Sequence, residues 1–223
     1  LQSALHFQQE LLNVQLPDIA GLALYLHHRP SQERLVGGDY FDFFRLSPTK
    51  LLICFGDVAG HGLKPAFVGA VLKNIVYHEH VRLFDPKMLD PARLLNWLNE
   101  RMVGFFGKFP DLFLSFCATI VDTHDMAVSY ANAGQPPLCM IGSSEDVQTV
   151  TGQGIPLGIR SDVTYETKSM KMAAGNQLVW VSDGIFALEL AGEFESMSKP
   201  QVFSKQRHNL HEPDKVVDAI LRN

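Results

Sequence analysis

Gly37-Gly38-Asp39-Tyr40-Phe41-Asp42 and Gly56-Asp57-Val58-Ala59-Gly60-His61-Gly62, with one hydrophobic run between them, decide how this chain folds. Each sets carboxylates among glycines where an apolar stretch begins or ends. Glycine lets the backbone turn sharply and lets a ligand come close to the main chain. Carboxylate and carbonyl oxygens are the donors that hard divalent cations prefer. Val179-Trp180-Val181-Ser182-Asp183-Gly184 repeats the pattern, an apolar strand delivering an aspartate to a glycine turn. Asp39, Asp57 and Asp183 at three strand ends point to one shared metal site.

Outward from these motifs, the hydrophobic period predicts the elements. Residues 1–13 read as a helix, with Leu1, Leu5, Gln8 and Leu12 at alternating steps of four and three. Period-two patterning predicts strands over residues 21–28 and 40–46, and a continuous apolar run predicts one over 51–55, with a turn at Ser47-Pro48-Thr49. A helix then places Leu63, Phe67, Ala70, Val71, Asn74 and Ile75 on one face, with Pro65 in its first turn. Asp90-Pro91 is an N-cap followed by proline at the first helical position, opening a helix through Leu94, Leu95, Leu98 and Met102. Strands are expected over 113–121, 127–131, 138–141, 163–170 and 177–182, with turns at 122–125 and 134–137, and a closing helix over 214–221. Short strands joined by turns, with two consecutive helices in the middle, argue for an α+β fold with mainly antiparallel sheets.

The 223 residues suffice for one substantial domain, and neither a repeat nor a low-complexity linker divides them. A hydrophobic share of 46% with 19% charged residues is ordinary for a globular protein. The net charge of −5 argues against a nucleic-acid surface or an anionic-membrane surface. No apolar run reaches the length of a membrane span; the longest, over residues 112–121, is interrupted by Ser115 and Thr119. No secretory pattern is read at the start, and a cytoplasmic location is expected. Cys54, Cys117 and Cys139 each lie inside an apolar run without metal-ligand spacing, as buried free thiols of a reducing compartment would. The first residue is Leu1, not methionine, so a segment of a longer protein is expected, with an upstream sensor or receiver domain in the same polypeptide.

Five motifs occur in order: Gly-Gly-Asp-Tyr-Phe-Asp (37–42), Gly-Asp-Val-Ala-Gly-His-Gly (56–62), Asn-Ala-Gly-Gln-Pro-Pro (132–137), Gly-Ile-Pro-Leu-Gly-Ile (154–159) and Ser-Asp-Gly-Ile (182–185). Together they resemble the bacterial SpoIIE/RsbU branch of metal-dependent (PPM, type 2C) protein serine/threonine phosphatases, from about residue 9 to about residue 185. The resemblance implies two antiparallel sheets packed as a sandwich flanked by helices. It also implies two Mn²⁺ or Mg²⁺ ions and hydrolysis of phosphoserine or phosphothreonine on a small anti-sigma-factor antagonist protein. By resemblance Asp57 bridges both metals, the Val58 carbonyl is the backbone ligand beside it, Asp39 serves the second metal and Asp183 the first. Two cations held about 3.5–4 Å apart acidify a shared water and neutralise phosphoryl oxygens during in-line attack. Such chemistry needs no covalent nucleophile. On this reading residues 1–14 form a connector helix and 15–223 the phosphatase domain, with a homodimer through the helix as one mode of assembly.

Two departures stand out. The family usually carries His where Gln135 stands. Its members also continue past a helix like 214–221 into a strand with an Asp-Asp pair that completes the first metal site, whereas this sequence stops at Asn223. A domain truncated before its final strand, with one metal weakly held, is therefore expected. Asp42 is read either as a turn cap or as an extra oxygen donor, and His61 as a loop-shaping residue or a direct participant. Arg29, Arg34 and Arg45 flank the first motif, as solvated surface charges or within reach of a phosphate.

A pseudophosphatase of the same fold, acting as a regulated adaptor, is the alternative function. Clustered carboxylates without cations are costly, which favours the enzyme. A diguanylate cyclase is suggested by Gly37-Gly38-Asp39 followed by an aromatic, but it would need an acid where Tyr40 stands.

Overall fold

The computed structural model describes residues 14–28, 37–76, 81, 89–107, 109, 111–142, 147–150, 154–182 and 199–212. The helices expected over 1–13 and 214–221, together with Asp183, Arg29 and Arg34, lie outside the described residues. The described residues fall into two compact units.

The first unit is built on five antiparallel strands in the order β1-β2-β3-β4-β7: β1 (Asp39–Ser47), β2 (Lys50–Val58), β3 (Leu114–Asp122), β4 (Ala127–Ala133) and β7 (Lys168–Lys171). Short polar turns set the registers. The Thr49 amide donates to Ser47 Oγ at 3.2 Å, closing the β1–β2 turn. The amides of His124 and Asp125 donate to Asp122 Oδ1 at 3.0 and 3.3 Å, closing the β3–β4 turn. Such Asx- and Ser/Thr-type bonds are why these residues dominate turns.

Alternation assigns the faces of this sheet. Tyr40, Phe44, Leu52, Cys54, Phe116, Ala118, Ala131 and Ala133 share one face and join the buried cluster with the helices α1 (Leu63–Ile75) and α2 (Pro91–Phe106). The other face carries Asp39, Phe41, Ile53, Asp57, Ser115, Cys117, Asn132 and Tyr130. Helix α2 matches its sequence reading: Asp90 caps it, accepting from the Arg93 amide at 3.0 Å, and Leu94, Leu95, Leu98 and Met102 are buried. The Thr167 hydroxyl lies 2.9 Å from each oxygen of the Asp90 carboxylate, tying a later segment to the start of α2.

Helix α1 has the expected position but presents the other face. Pro65, Val68, Leu72 and Val76 are buried, whereas Leu63, Phe67 and Val71 are exposed. The helix is apolar nearly all round, so periodicity could not choose between two stripes.

Residues 163–170, expected as one strand, pair among the described residues only over Lys168–Lys171. The preceding stretch is taken by α2 instead. Asn96 accepts from the Tyr165 amide at 2.9 Å and donates to its carbonyl at 3.3 Å. Asn99 accepts from the Gly158 amide at 2.9 Å and donates to the Arg160 carbonyl at 2.8 Å. Two asparagines one turn apart thus satisfy backbone that a neighbouring strand would otherwise serve.

The second unit contains three antiparallel strands in the order β6-β5-β8: β5 (Leu138–Ile141), β6 (Val147–Val150) and β8 (Gln177–Val179). Helix α3 (Lys199–Lys205) places Val202 and Phe203 in a small cluster with Ile141 and Val181. Strand β6 and helix α3 were not read from the sequence, and β8 is shorter than the expected 177–182. Residues 21–28, expected as a strand, alternate in exposure as a strand's would, and among the described residues they pair only where Leu22 bridges Ile19 within a turn. All three cysteines are buried and free, as expected. No helix among the described residues is long and apolar enough to cross a membrane.

Candidate functional site

Asp39 opens β1 and Asp57 closes β2, and the antiparallel register sets them directly opposite each other. Directly opposed residues have Cβ atoms about 4.5–5.5 Å apart and point to the same face. Both aspartates are half-buried. The Val58 amide donates to the Gly38 carbonyl at 3.0 Å, and the Ala59 amide to the Phe113 carbonyl at 2.9 Å, so the ladder continues through the second motif. The two glycine-flanked motifs therefore form one strand pair ending in two carboxylates and a main-chain turn.

Asp42 does not join them. Three residues along β1, its side chain belongs to the opposite face, where it is buried opposite Cys54 with Lys73 Nζ of α1 at 3.9 Å. Burial pushes the Asp42 carboxyl above its ordinary range, with Lys73 and the Phe43 amide offsetting part of the rise. Its reading as an extra oxygen donor beside Asp57 is corrected by this placement. Arg45 is exposed at the far end of β1, about 20 Å from Asp39 at 3.3 Å per residue, and does not serve the site. His61 is exposed in the loop between Val58 and α1. Tyr40, where a cyclase would need an acid, is buried against Phe116 on the face away from Asp39.

The third and fourth motifs reach the same end of the sheet. Ser115 is the partner of Asp57 on β3, and its hydroxyl donates to the Asp57 carbonyl at 3.1 Å. Gln135 donates from Nε2 to Ser115 Oγ at 2.9 Å and to the Ser115 carbonyl at 3.0 Å. Asn132 clamps the turn that carries Gln135, accepting from its amide and donating to its carbonyl, both at 2.8 Å. Gly134 takes φ +83° there, and a β-carbon on it would stand 2.7 Å from Pro156 of the fourth motif. Sequence reasoning treated Ser115 only as an interruption of an apolar run. That polar interruption, one residue into a buried strand, was the signal it missed.

The donor set suits a hard divalent cation: two carboxylates and the Val58 carbonyl, all oxygen, with no thiol or imidazole among them. The main chain is packed for such a role, since a β-carbon on Gly38 would overlap the Val58 carbonyl. Among the described residues no three Asp, Glu, His or Cys side chains gather into a metal-sized group. Asp183 lies outside the described residues, and Ser182 is the last described residue before it.

The model of the family described as Stage II sporulation protein E (SpoIIE) matches residues 47–223, and the chain belongs to this family. Protein IcfG of Synechocystis sp. (strain ATCC 27184 / PCC 6803 / Kazusa) is 24% identical over 214 residues, covering 83% of this chain and 32% of IcfG. Phosphoserine phosphatase RsbP of Bacillus subtilis (strain 168) is 20% identical over 153 residues, covering 67% of this chain and 36% of RsbP. The chain thus spans about a third of the length of these curated relatives. Among solved structures, the SiaA-PP2C domain of Pseudomonas aeruginosa superposes with a TM-score of 0.69 at 19% identity, over 85% of this chain and 76% of that one. The PP2C phosphatase domain of SpoIIE from Bacillus subtilis gives 0.62 at 17%, over 82% and 54%. RsbX in complex with magnesium gives 0.62 at 13%, over 85% and 83%. The fold is that of the type 2C phosphatases, two antiparallel sheets with helices.

Proposed function

We propose that this chain is a metal-dependent protein serine/threonine phosphatase domain that hydrolyses phosphoserine or phosphothreonine on a partner resembling an anti-sigma-factor antagonist. The observation that carries the reading is the direct opposition of Asp39 and Asp57 beside the Val58 carbonyl, in a chain of the SpoIIE family. Two carboxylates placed this close repel each other in the absence of a cation, and hard cations are what such a set retains. In the proposed site Asp57 and the Val58 carbonyl hold one edge, Asp39 the second, and Asp183 supplies the third aspartate. Two Mn²⁺ or Mg²⁺ ions bound there would acidify a shared water and neutralise the phosphoryl oxygens. The chain's part is to fix these oxygens in advance: β1 and β2 are locked by their ladder, and Ser115 holds the Asp57 carbonyl. None of the three cysteines serves as a nucleophile in this scheme, each being buried within a strand with its thiol pushed up by burial.

The similarity to RsbP, a phosphoserine phosphatase, supports phosphoserine as the bond hydrolysed. Residues 1–14 are proposed as the connector to an upstream sensor or receiver domain, with their leucine stripe pairing two copies. Replacing Leu5 and Leu12 by lysine and measuring mass in solution checks that part: an unchanged mass and activity would discard it.

The test of the activity is release of phosphate from a phosphoserine peptide with Mn²⁺, with Mg²⁺, and with chelator. Release that needs the cation and is lost in Asp57→Asn supports the enzyme. Specific binding of the phosphoprotein without release, at any cation concentration, would assign the adaptor role instead.

A further inference from the structure

We infer that Gln135 and Ser115 form a positioning relay that fixes the peptide between Asp57 and Val58, an inference that rests on the phosphatase reading above. The direction of every bond in the relay is forced. The Asp57 and Ser115 carbonyls only accept, so the Ser115 hydroxyl proton goes to Asp57 and the Gln135 amide nitrogen supplies both contacts to Ser115. Turned over, the amide would bring Oε1 against the Ser115 carbonyl, oxygen against oxygen.

The amide keeps this orientation at a cost. Gln135 is 6% exposed, and its Oε1 is buried with no hydrogen-bond partner among the described residues. A buried unpaired carbonyl is unfavourable. A side chain placed only to satisfy itself would not leave this oxygen unpaired. Asn132 holds the Gln135 main chain at both its amide and its carbonyl, so the side chain is aimed from a fixed base.

What the relay grips explains its use. The peptide joining Asp57 to Val58 is held at both edges: its carbonyl by the Ser115 hydroxyl at 3.1 Å, and its amide, that of Val58, by the Gly38 carbonyl at 3.0 Å. The two oxygen donors of the second motif, the Asp57 carboxylate and the Val58 carbonyl, branch from the Cα atoms at the two ends of this plane. Holding the plane fixes the direction of the base from which each projects before any cation arrives. Among the described residues the Gln135 side chain bonds only to Ser115, and it acts through Ser115.

The experiment is calorimetric titration of the 223-residue chain with Mn²⁺, with thermal unfolding in chelator alongside. Gln135→Leu and Ser115→Ala are each expected to weaken Mn²⁺ binding roughly tenfold or more, the scale of outer-shell substitutions. The double variant should be no weaker than the worse single one, because the two act in series. Gln135→His, which restores a ring N–H donor, should recover most of the affinity. Ser115→Ala removes a single oxygen and carries the test by itself if Gln135→Leu does not fold. Lowered metal-free melting temperatures with Mn²⁺ affinity unchanged in all variants would make the relay purely structural and overturn the inference, leaving the phosphatase reading intact. No Mn²⁺ binding by the parent chain, or binding unaltered in Asp57→Asn, would overturn the phosphatase reading and the relay with it.

Discussion

Gly38 and Val58 touch main chain to main chain: a β-carbon on Gly38 would overlap the Val58 carbonyl and stand 2.7 Å from Oδ1 of Asp57. The obstacle is backbone held by its own hydrogen bond to Gly38, not the yielding tip of a side chain. Gly38→Ala is therefore expected to destabilise the fold by about 1–3 kcal/mol, as overpacking does, and to displace the second motif. Urea unfolding in chelator measures the first effect and Mn²⁺ titration the second. Parent-like values in both would show that the β1–β2 end yields freely.

Asp39 and Asp57 oppose each other across the strand pair. Like charges at directly opposed positions are destabilising by a few tenths of a kcal/mol to about 1 kcal/mol. Asp57→Asn should thus melt no lower than the parent chain in chelator. Excess Mn²⁺ should raise the melting temperature of the parent, as a ligand of the folded state must, and leave that of Asp57→Asn where it was. Equal stabilisation of both chains would move the cation away from Asp57.

Asp42 gives a pH signature of its own. Burial raises its carboxyl from the ordinary value of 3.8, beyond what Lys73 and the Phe43 amide offset, and buried Cys54 and Tyr40 face it on the same side of the sheet. Between 3.8 and the raised folded value, the folded chain holds more protons than the unfolded one, so stability falls as pH rises through that window. Lys73, lowered by its own burial from 10.5, stays charged in acid and adds no slope there. Asp42→Asn is expected to gain stability relative to the parent as pH rises from 3.8, with the gap levelling above the window. Urea unfolding in chelator from acid to neutral pH would show it. A gap that is constant with pH, or closes as pH rises, contradicts this assignment.

Asn132 closes the third motif on itself, serving the Gln135 amide and carbonyl and lying 2.7 Å from the Tyr130 hydroxyl. Asn132→Ala leaves buried main-chain groups unpaired, at about 1–3 kcal/mol for each. The urea midpoint should fall with the slope unchanged. A midpoint within error of the parent would mean that the turn keeps its shape without Asn132.

The sequence by itself determined the local elements whose chemistry is local. Asp90-Pro91 opens α2 because a carboxylate can cap the next turn and proline needs no donor there. β1 to β5 follow from their apolar runs and from turns that Ser47, Asp122 and Gly134 make within a few residues. The order of the five glycine-marked motifs was enough to name the family, and it made Asp39 and Asp57 the candidates. Tertiary structure alone decided three things. It chose which stripe of the doubly apolar α1 is buried, because only the sheet beneath can select Val68 and Leu72 over Phe67 and Val71. It turned the first part of the strand expected over 163–170 into a segment bonded to Asn96 through Tyr165, since side chains on a distant helix compete for the same backbone groups. And it joined Gln135 to Asp57 through Ser115, a contact across 78 positions of sequence that strand register creates and no local period encodes.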